Sequence, residues 1–175
     1  LHNNTNRLLV NGILEAGGKG CQISGKKMLR AERLTSRDKE TGKELDIGFV
    51  GKVVAVDIAP IRDALNYGFI PVIAPLAADF YGQVYNINAD MAACDIARSL
   101  KARKLIFLSD VPGILRDPKD EKSLISSIKT SEVEQLIADG VLSGGMLPKI
   151  RSSVAALEAG TREVQMIDGR VPHSL

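Results

Sequence analysis

The sequence predicts an α/β protein: a three-layer αβα sandwich with a mostly parallel central sheet. Two observations predict this class. From residue 69 onward, short continuous apolar runs alternate with segments of helical length and helical spacing. The apolar runs do not alternate with polar residues, which is typical of parallel strands buried on both faces by helices. The 175 residues, 45% of them hydrophobic, are enough to build a sizeable core.

The first part of the chain mixes helix, strand and turn signals. A helix is predicted over residues 5–15 from the spacing of its apolar side chains, with glycines after it as a C-terminal cap. A second helix begins after Asp57, has Pro60 in its first turn and ends at Gly68. Polar residues 36–46 indicate a surface loop or hairpin tip. Strand composition marks three segments, residues 21–24, 28–34 and 48–56.

The second part alternates strand and helix. The predicted strands are residues 69–74, 104–108 and 163–167, and the predicted helices are residues 89–100, a segment ending near 140, and residues 148–159. Ser131 and Glu134 have the spacing of a capping box for the middle helix. Gly160 ends the last helix.

Charge and composition exclude several classes of protein. The net charge of +2 and the 4% of aromatic residues favour neither a phosphate-backbone partner nor a base-stacking platform, so no nucleic acid partner is expected. No apolar run is long enough to span a membrane, and no signal peptide pattern is present. Cys21 and Cys94 lie far apart in apolar contexts, which favours a reducing, cytoplasmic compartment. The two histidines, His2 and His173, form no metal-ligand spacing, so no protein-bound metal is predicted.

Residues 85–90, Tyr-Asn-Ile-Asn-Ala-Asp, lie where a strand passes into a helix. Alternate residues of an extended strand point to the same side, so Asn86, Asn88 and Asp90 are expected to converge on one small space. Amides bind a polar small molecule as donors and acceptors, and a carboxylate orients a cation. On the spacing alone, the favoured interpretation is an Asn-rich turn in which Asn or Asp caps the next helix.

The segment from Gly20 to Lys27 nearly matches the phosphate-binding pattern G-x-x-x-x-G-K-[ST]. A lysine stands where that pattern needs the hydroxyl that ligates Mg²⁺, and the following residues alternate like a strand instead of opening a helix. We therefore interpret this segment as a glycine-rich hairpin.

Residues 108–115, Leu-Ser-Asp-Val-Pro-Gly-Ile-Leu, follow a predicted buried strand. Ligands of open α/β sheets bind outside the carboxyl ends of the strands. Ser109 and Asp110 provide polar groups there, and Pro112 and Gly113 turn the chain. Taken by itself, this segment is about as consistent with a plain loop as with a site.

Two glycines, Gly144 and Gly145, precede the start of the helix predicted over residues 148–159, and Lys149 lies in its first turn. Unpaired backbone N–H groups and the helix dipole favour an anion at this end. A lysine opposes the dipole there unless it serves a phosphate. The alternative is a solvated surface lysine, at a cost of roughly tenths of a kcal/mol.

Taken together, these segments resemble the acetylglutamate kinases of the amino acid kinase family. The matching segments follow the family's order and approximate spacing, and they are residues 46–53, 70–75, 85–90, 108–115, 143–149 and 168–170, with His173 after them. The resemblance covers nearly the whole chain. The sequence of residues 86–90, Asn-Ile-Asn-Ala-Asp, differs from the corresponding segment of related uridylate, glutamate and carbamate kinases.

The resemblance implies ATP-dependent phosphorylation of the side-chain carboxylate of N-acetyl-L-glutamate, with ATP and Mg²⁺, on the route to arginine. Asn86 and Asn88 would hold the substrate, Asp90 would organise the catalytic lysines, and Lys149 would stabilise charge on the transferring phosphoryl group. The nucleotide would be bound by two groups of residues: Ser109, Asp110, Val111, Gly113, Ile114 and Leu115, then Ser143, Gly144, Gly145 and Met146. A carboxylate acceptor is already a nucleophile, which is consistent with the lack of a catalytic histidine.

The resemblance also implies a division into lobes and a larger whole. Residues 1–88 would be the remainder of the substrate-binding and dimerisation lobe, and residues 89–175 would be the nucleotide-binding lobe. The family's Lys-x-Gly-Gly strand, its substrate-gripping arginine and its C-terminal strand and helix have no equivalent here. We therefore expect a fold incomplete at both ends and a 175-residue chain that is inactive alone.

Partners and location follow from the same resemblance. A homo-oligomer, either a dimer or a hexamer, is expected, with a PII-type regulator as a further candidate partner. The expected location is the cytoplasm, or the lumen of a plastid or mitochondrion. Two alternatives stay open: a kinase for an aminoadipate derivative in lysine synthesis, and a non-catalytic fragment that binds a nucleotide or a partner.

Overall fold

Helices and strands alternate along the chain in the computed structural model, which describes residues 2–38, 41–117 and 119–175. The α-helices in this part of the chain are α1 (His2–Glu15), α2 (Ala59–Asn66), α3 (Ala89–Leu100), α4 (Val133–Ala138) and α5 (Met146–Glu158). The strands are β1 (Gly20–Ser24), β2 (Leu29–Arg33), β3 (Ser36–Arg37), β4 (Glu44–Leu45), β5 (Gly51–Val56), β6 (Ile70–Ala74), β7 (Leu76–Ala78), β8 (Val84–Asn86), β9 (Lys104–Ser109) and β10 (Glu163–Asp168). The predicted α/β class is confirmed.

The chain forms two compact units, Leu1–Ala92 and Ala93–Leu175. The boundary between the units falls inside α3, whereas the sequence-based division falls at the start of that helix. The functions assigned to the two lobes remain predictions.

In the first unit, β1 and β6 form a parallel pair in which Gly20 lies opposite Ile70 and Ser24 lies opposite Ala74. Helices α1 and α2 both contact these strands. Val10 and Ile13 of α1 are half-buried, and Ile61 of α2 is buried. This part of the first unit therefore has the helix-covered parallel strands that the sequence predicts.

A second sheet in the first unit has the strand order β5, β2, β7, β8. The β2–β5 and β7–β8 pairs are antiparallel, and β2–β7 is parallel. A further bridge joins Val50 to Asn86, so the start of β5 lies beside the end of β8. Gly51 is buried at this junction, where an added Cβ would lie 2.7 Å from the Cβ of Tyr85. Only glycine allows the strands to approach this closely.

In the second unit, β9 and β10 form a parallel pair from Lys104 opposite Glu163 to Ser109 opposite Asp168. Two buried clusters support this pair. One contains Cys94, Phe107 and Ala156 from α3, β9 and α5, and the other contains Val133, Leu136, Leu142 and Ile150 from α4, the following turn and α5.

Two predicted features are wrong. The segment from Gly20 to Lys27 is not a hairpin, because β1 pairs with β6 while β2 belongs to the other sheet. A three-residue 3-10 turn, Gly25–Lys27, joins the two strands, so the prediction that a strand and not a helix follows Lys27 is confirmed. Gly25 is required there because an added Cβ would meet the carbonyl oxygens of Ala74 and Leu76.

The Ser131 and Glu134 capping box is also not formed. Instead, the carboxylate of Glu132 accepts a hydrogen bond from the Lys129 N–H at 2.7 Å, and a 3-10 turn (Thr130–Glu132) precedes α4. Helix α5 begins at Met146, two residues before the predicted start. Pro148 lies in its first turn, where the missing N–H of proline costs no helical hydrogen bond.

Candidate functional site

The residues assigned to the site by sequence are divided between the two units. Asn86, Asn88 and Asp90 lie in the first unit, and the residues from Ser109 to Lys149 lie in the second.

Asn86 is the last residue of β8 and is held by the backbone on two sides. It pairs with Leu76 of β7, and its N–H donates to the carbonyl oxygen of Phe49 at 2.8 Å. Its neighbours Tyr85 and Ile87 are buried, 7% and 3% exposed, whereas the side chain of Asn86 is exposed. The fold thus presents this amide to solvent from a fixed stretch of backbone.

Tyr85 fixes the backbone before Asn86 from inside the fold. Its hydroxyl donates to Oδ2 of Asp79 at 3.1 Å, and its ring lies 6.4 Å from that of Phe49. Burial raises the pKa of the Tyr85 hydroxyl, and the adjacent Asp79 carboxylate raises it further. Oδ1 of Asp79 accepts the N–H groups of Tyr81 and Gln83, both at 2.9 Å. Burial opposes the charge on Asp79, but these hydrogen bonds outweigh it and lower the pKa of its carboxyl group.

Asn88 is the N-cap of α3. Its Oδ1 accepts the N–H of Met91 at 3.1 Å, which satisfies one of the unpaired donors of the first turn. The capping interpretation of the sequence is therefore confirmed for this residue. Asn88 is an exposed residue and the cap uses its side-chain oxygen, so the predicted substrate role is compatible with capping and stays a prediction.

Asp90 is the second residue of α3 and is half-buried. Because β8 ends at Asn86 and α3 begins at Ala89, the alternation of an extended strand does not reach Asp90. The argument that spacing alone makes the three side chains converge therefore does not apply to this residue. Its carboxylate lies instead in the first turn of a helix, where the dipole favours a negative charge.

The segment Ser109 to Leu115 begins at the carboxyl end of β9, as predicted for a ligand-binding loop. The far end of the segment is anchored, because the carbonyl oxygen of Ile114 accepts the N–H of Ile125 at 2.8 Å and Leu115 bridges to Leu124. Gly113 has a φ of 141°, which favours glycine. Asp110 and Val111 are exposed between these two anchors.

The turn Ser143-Gly144-Gly145 leads into α5. The carbonyl oxygens of Ser143 and Gly144 accept the N–H groups of Met146 and Leu147 at 3.2 Å. Gly144 has a φ of 56°, and no atom lies within 4 Å of a Cβ added to Gly144 or Gly145. The backbone before α5 is therefore open to close approach by a ligand, as an anion site at a helix N-terminus requires.

Lys149 is the fourth residue of α5 and is half-buried. Its Nζ lies 5.3 Å from the ring centroid of Phe107, a buried residue of β9. This is within the range of a cation–π contact. The alternative of a freely solvated surface lysine is therefore wrong, because the ammonium group lies over the aromatic ring of Phe107.

A cavity of about 770 Å³ lies in the second unit. Of the predicted nucleotide residues, Gly113 and Ile114 line it, and its wall also includes Val133, Leu142 and Ile150. Its size is within the usual range for small-molecule sites. Ile114 and Met146 also pack against the buried cluster around Leu142, so parts of the two predicted nucleotide segments share one hydrophobic support.

Sequence reasoning named residues 168–170 only as a matching segment and assigned no role to the charged pair within it. Asp168 ends β10 opposite Ser109, and its carboxylate binds the guanidinium group of Arg170 with an N···O distance of 2.7 Å. Hydrogen bonds from the side chain and then the backbone of Arg170 lower the pKa of Asp168 to about 2. The signal available in the sequence was an acidic and a basic residue directly after a buried strand.

Among the residues that the structure describes, no group of three His, Cys, Asp or Glu side chains is arranged to hold a metal ion. Within the same residues, no helix has the length and hydropathy needed to cross a bilayer.

Comparison with known proteins shows a consistent relationship. The sequence model of the amino acid kinase family matches residues 3–168. The chain is 46% identical over 173 residues to a protein named acetylglutamate kinase from Symbiobacterium thermophilum, and the match covers 98% of this chain and 59% of that protein. It is 44% identical to another acetylglutamate kinase, from Archaeoglobus fulgidus, with 100% of this chain and 62% of that protein covered.

A solved structure, smu.665 from Streptococcus mutans, superposes with a TM-score of 0.76 at 31% identity, covering 90% of this chain and 60% of that one. The chain thus spans between 59% and 62% of the length of these three proteins.

Proposed function

Because this chain belongs to the amino acid kinase family, we propose that the whole protein that carries it phosphorylates the side-chain carboxylate of N-acetyl-L-glutamate, with ATP as donor. The observation that carries this proposal is the identity of 44% to 46%, along essentially the full chain, to relatives named acetylglutamate kinase. The product would be an acyl phosphate.

The first unit would contribute the substrate contacts. Asn86 presents its amide from a backbone that is fixed on two sides, and an amide offers both donors and an acceptor to a polar, acidic ligand. Asn88 would add a contact through its amide nitrogen while its oxygen caps α3. Asp90, in the first turn of α3, would orient the catalytic lysines.

The second unit would contribute the nucleotide contacts. The open Gly144 and Gly145 backbone at the start of α5 suits an anionic phosphate, and Ser109 to Leu115 lies at the strand end where α/β proteins bind ligands. Lys149 would stabilise the charge on the transferring phosphoryl group. Its contact with Phe107 would limit the positions of the ammonium group before the nucleotide binds.

The proposed chemistry needs positioning and positive charge rather than a general base, because a carboxylate acceptor is already a nucleophile. Mg²⁺ supplies charge neutralisation when it is bound.

The proposal is tested in the whole protein by measuring ADP release and trapping the acyl phosphate with hydroxylamine. We expect Lys149→Ala to lower kcat by about 10²- to 10³-fold, as is typical when a transition-state charge contact is removed. Arg151→Ala is the matched control, since Arg151 is an exposed cation on the same helix. Unchanged kcat in Lys149→Ala would refute the role of this lysine.

The same assay separates the alternatives. A higher kcat/KM on an N-acylated aminoadipate than on acetylglutamate would identify the lysine-synthesis kinase instead. Binding of ATP–Mg²⁺ without turnover of either acceptor would identify a non-catalytic nucleotide-binding protein.

Assembly and location complete the proposal. We expect a homo-oligomer, which the exposed apolar side chains of Leu8, Leu9 and Leu14 on α1 support. Light scattering on the whole protein measures its state. Docking of a PII-type regulator and a cytoplasmic or organellar location are proposed from family membership alone.

A further inference from the structure

The carboxyl ends of β9 and β10 lie side by side in the second unit. Ser109 and Asp168 are register partners on these parallel strands, and the N–H of Gly169 donates to the carbonyl oxygen of Ser109 at 2.8 Å. Paired residues of adjacent strands direct their side chains to the same face of a sheet. The carboxylate of Asp168 therefore shares a face and an edge of the sheet with the first residue of the proposed nucleotide loop.

Arg170 donates three hydrogen bonds to the carboxylate of Asp168. The backbone N–H and the Nε of Arg170 donate to Oδ1 at 3.0 and 2.9 Å, and the guanidinium Nη2 donates to Oδ2 at 2.7 Å. The side chain of Asp168 is 15% exposed and that of Arg170 is 60% exposed. The carboxylate thus faces the protein, and the guanidinium group covers it from the solvent side.

This carboxylate is charged at physiological pH, as an ordinary aspartate also is, and its hydrogen bonds to Arg170 lower its pKa further, to about 2. A proton therefore does not neutralise it when an anion approaches, and Arg170 compensates its charge instead. Bidentate guanidinium–carboxylate pairs are among the strongest and most specific ion pairs in proteins, and lysine does not reproduce their geometry.

A nucleoside triphosphate bound as proposed brings several negative charges to the carboxyl ends of β9 and β10, where Ser109 and Asp168 lie. We propose that Arg170 is a positioning residue for this nucleotide. It compensates the negative charge of Asp168, which would otherwise repel phosphates from the carboxyl ends of β9 and β10. This inference rests on the proposed function, in which residues 109–115 contact ATP. It adds a role for two residues outside the proposed nucleotide segments.

The test is a double-mutant cycle in the whole protein, with Arg170→Ala, Asp168→Asn and the double variant. Isothermal titration calorimetry measures Kd for ATP and for adenosine, which carries no phosphate. We expect Arg170→Ala to raise the Kd for ATP by about three- to tenfold, which is the effect expected of one uncompensated charge near a protein surface. The Kd for adenosine should change by less than about twofold.

The second substitution provides the rescue. Adding Asp168→Asn to Arg170→Ala removes the exposed negative charge, so we expect ATP affinity to return to within about twofold of the wild type. If the pair has a purely structural role, Arg170→Ala should weaken the binding of ATP and of adenosine equally. The double variant should then bind ATP as weakly as Arg170→Ala does. Either result would overturn the inference, as would unchanged ATP affinity in Arg170→Ala.

The outcome for the wild type separates this inference from the proposed function. If the wild type binds ATP and the cycle behaves as expected, but acetylglutamate is not phosphorylated, the proposed acceptor fails while the role of Arg170 stands. If acetylglutamate is phosphorylated and the cycle shows no rescue, only the inference fails. A wild type that binds no ATP overturns both.

Discussion

Asn88 provides the sharpest test of whether a residue near the start of α3 serves the fold, the substrate or both. The structure gives its side-chain oxygen a defined task, because Oδ1 accepts the N–H of Met91 at 3.1 Å. Three substitutions separate the two roles. Asn88→Ala removes both the cap and the amide, whereas Asn88→Ser and Asn88→Asp keep a side-chain acceptor but lose the amide nitrogen.

The expected cost of Asn88→Ala follows from this single bond. The side chain is exposed and buries no apolar surface, so the loss is that of an N-cap alone, about 1 kcal/mol. The backbone bond from the Ala92 N–H to the Asn88 carbonyl oxygen, 2.9 Å long, does not depend on the side chain and remains. An opening free energy lowered by about 1 kcal/mol speeds hydrogen exchange at Met91 by about fivefold.

Amide hydrogen exchange, measured residue by residue, reports the cap directly. We expect faster exchange at the start of α3 in Asn88→Ala and near wild-type exchange in Asn88→Ser and Asn88→Asp. Steady-state kinetics of the whole protein report the second role. If the amide nitrogen contacts acetylglutamate, all three variants raise the KM for acetylglutamate and leave the KM for ATP unchanged.

Two results would contradict this reasoning. Unchanged exchange at Met91 in Asn88→Ala would show that the hydrogen bond does not stabilise the first turn of α3. Wild-type KM values for acetylglutamate in Asn88→Ser and Asn88→Asp would show that the residue is a cap and nothing more.

Three further predictions concern stability. Gly51→Ala should lower the free energy of unfolding by about 1–3 kcal/mol through overpacking, since its Cβ would lie 2.7 Å from that of Tyr85; a wild-type thermal transition would contradict the packing described. Gly12→Ala, at an exposed position of α1 with no atom within 4 Å of the new Cβ, should instead stabilise by up to about 1 kcal/mol in the same measurement. Asp168 has a folded-state pKa of about 2, below its ordinary value of 3.8, so its pair with Arg170 contributes stability above pH 3.8 that is lost as the pH falls to 2. Thermal unfolding of wild type and Asp168→Asn across this window should show the difference between them shrinking with acid, and a constant difference would refute the assignment.

Local patterns in the sequence were sufficient for most elements of the fold. The predicted bounds of α3 and the predicted strands β6, β9 and β10 agree with the structure to within a residue at each end. Each of these elements is encoded by apolar periodicity and by a turn or cap beside it in the chain, so its signal lies within a few residues. The capping role of Asn88 was predictable for the same reason.

One of the two errors occurred where a local signal competed with a partner far along the chain. The glycine-rich segment before Lys27 has the composition of a hairpin, but β1 pairs with β6, far along the chain. Strand pairing depends on which buried faces meet, and composition near the turn does not specify that choice. The Ser131 and Glu134 pattern failed for a local reason, because Glu132 provides an equivalent cap two residues earlier.

The sequence by itself therefore determined the α/β class, most of the elements and the residue types of the candidate site. The tertiary structure decided the closure of β5 against β8 through Val50 and Asn86, the contact of Lys149 with Phe107, and the meeting of Ser109 with Asp168 and Gly169. Each of these contacts joins residues more than thirty positions apart. Such contacts form only when the elements pack, because no local backbone preference favours one distant partner over another.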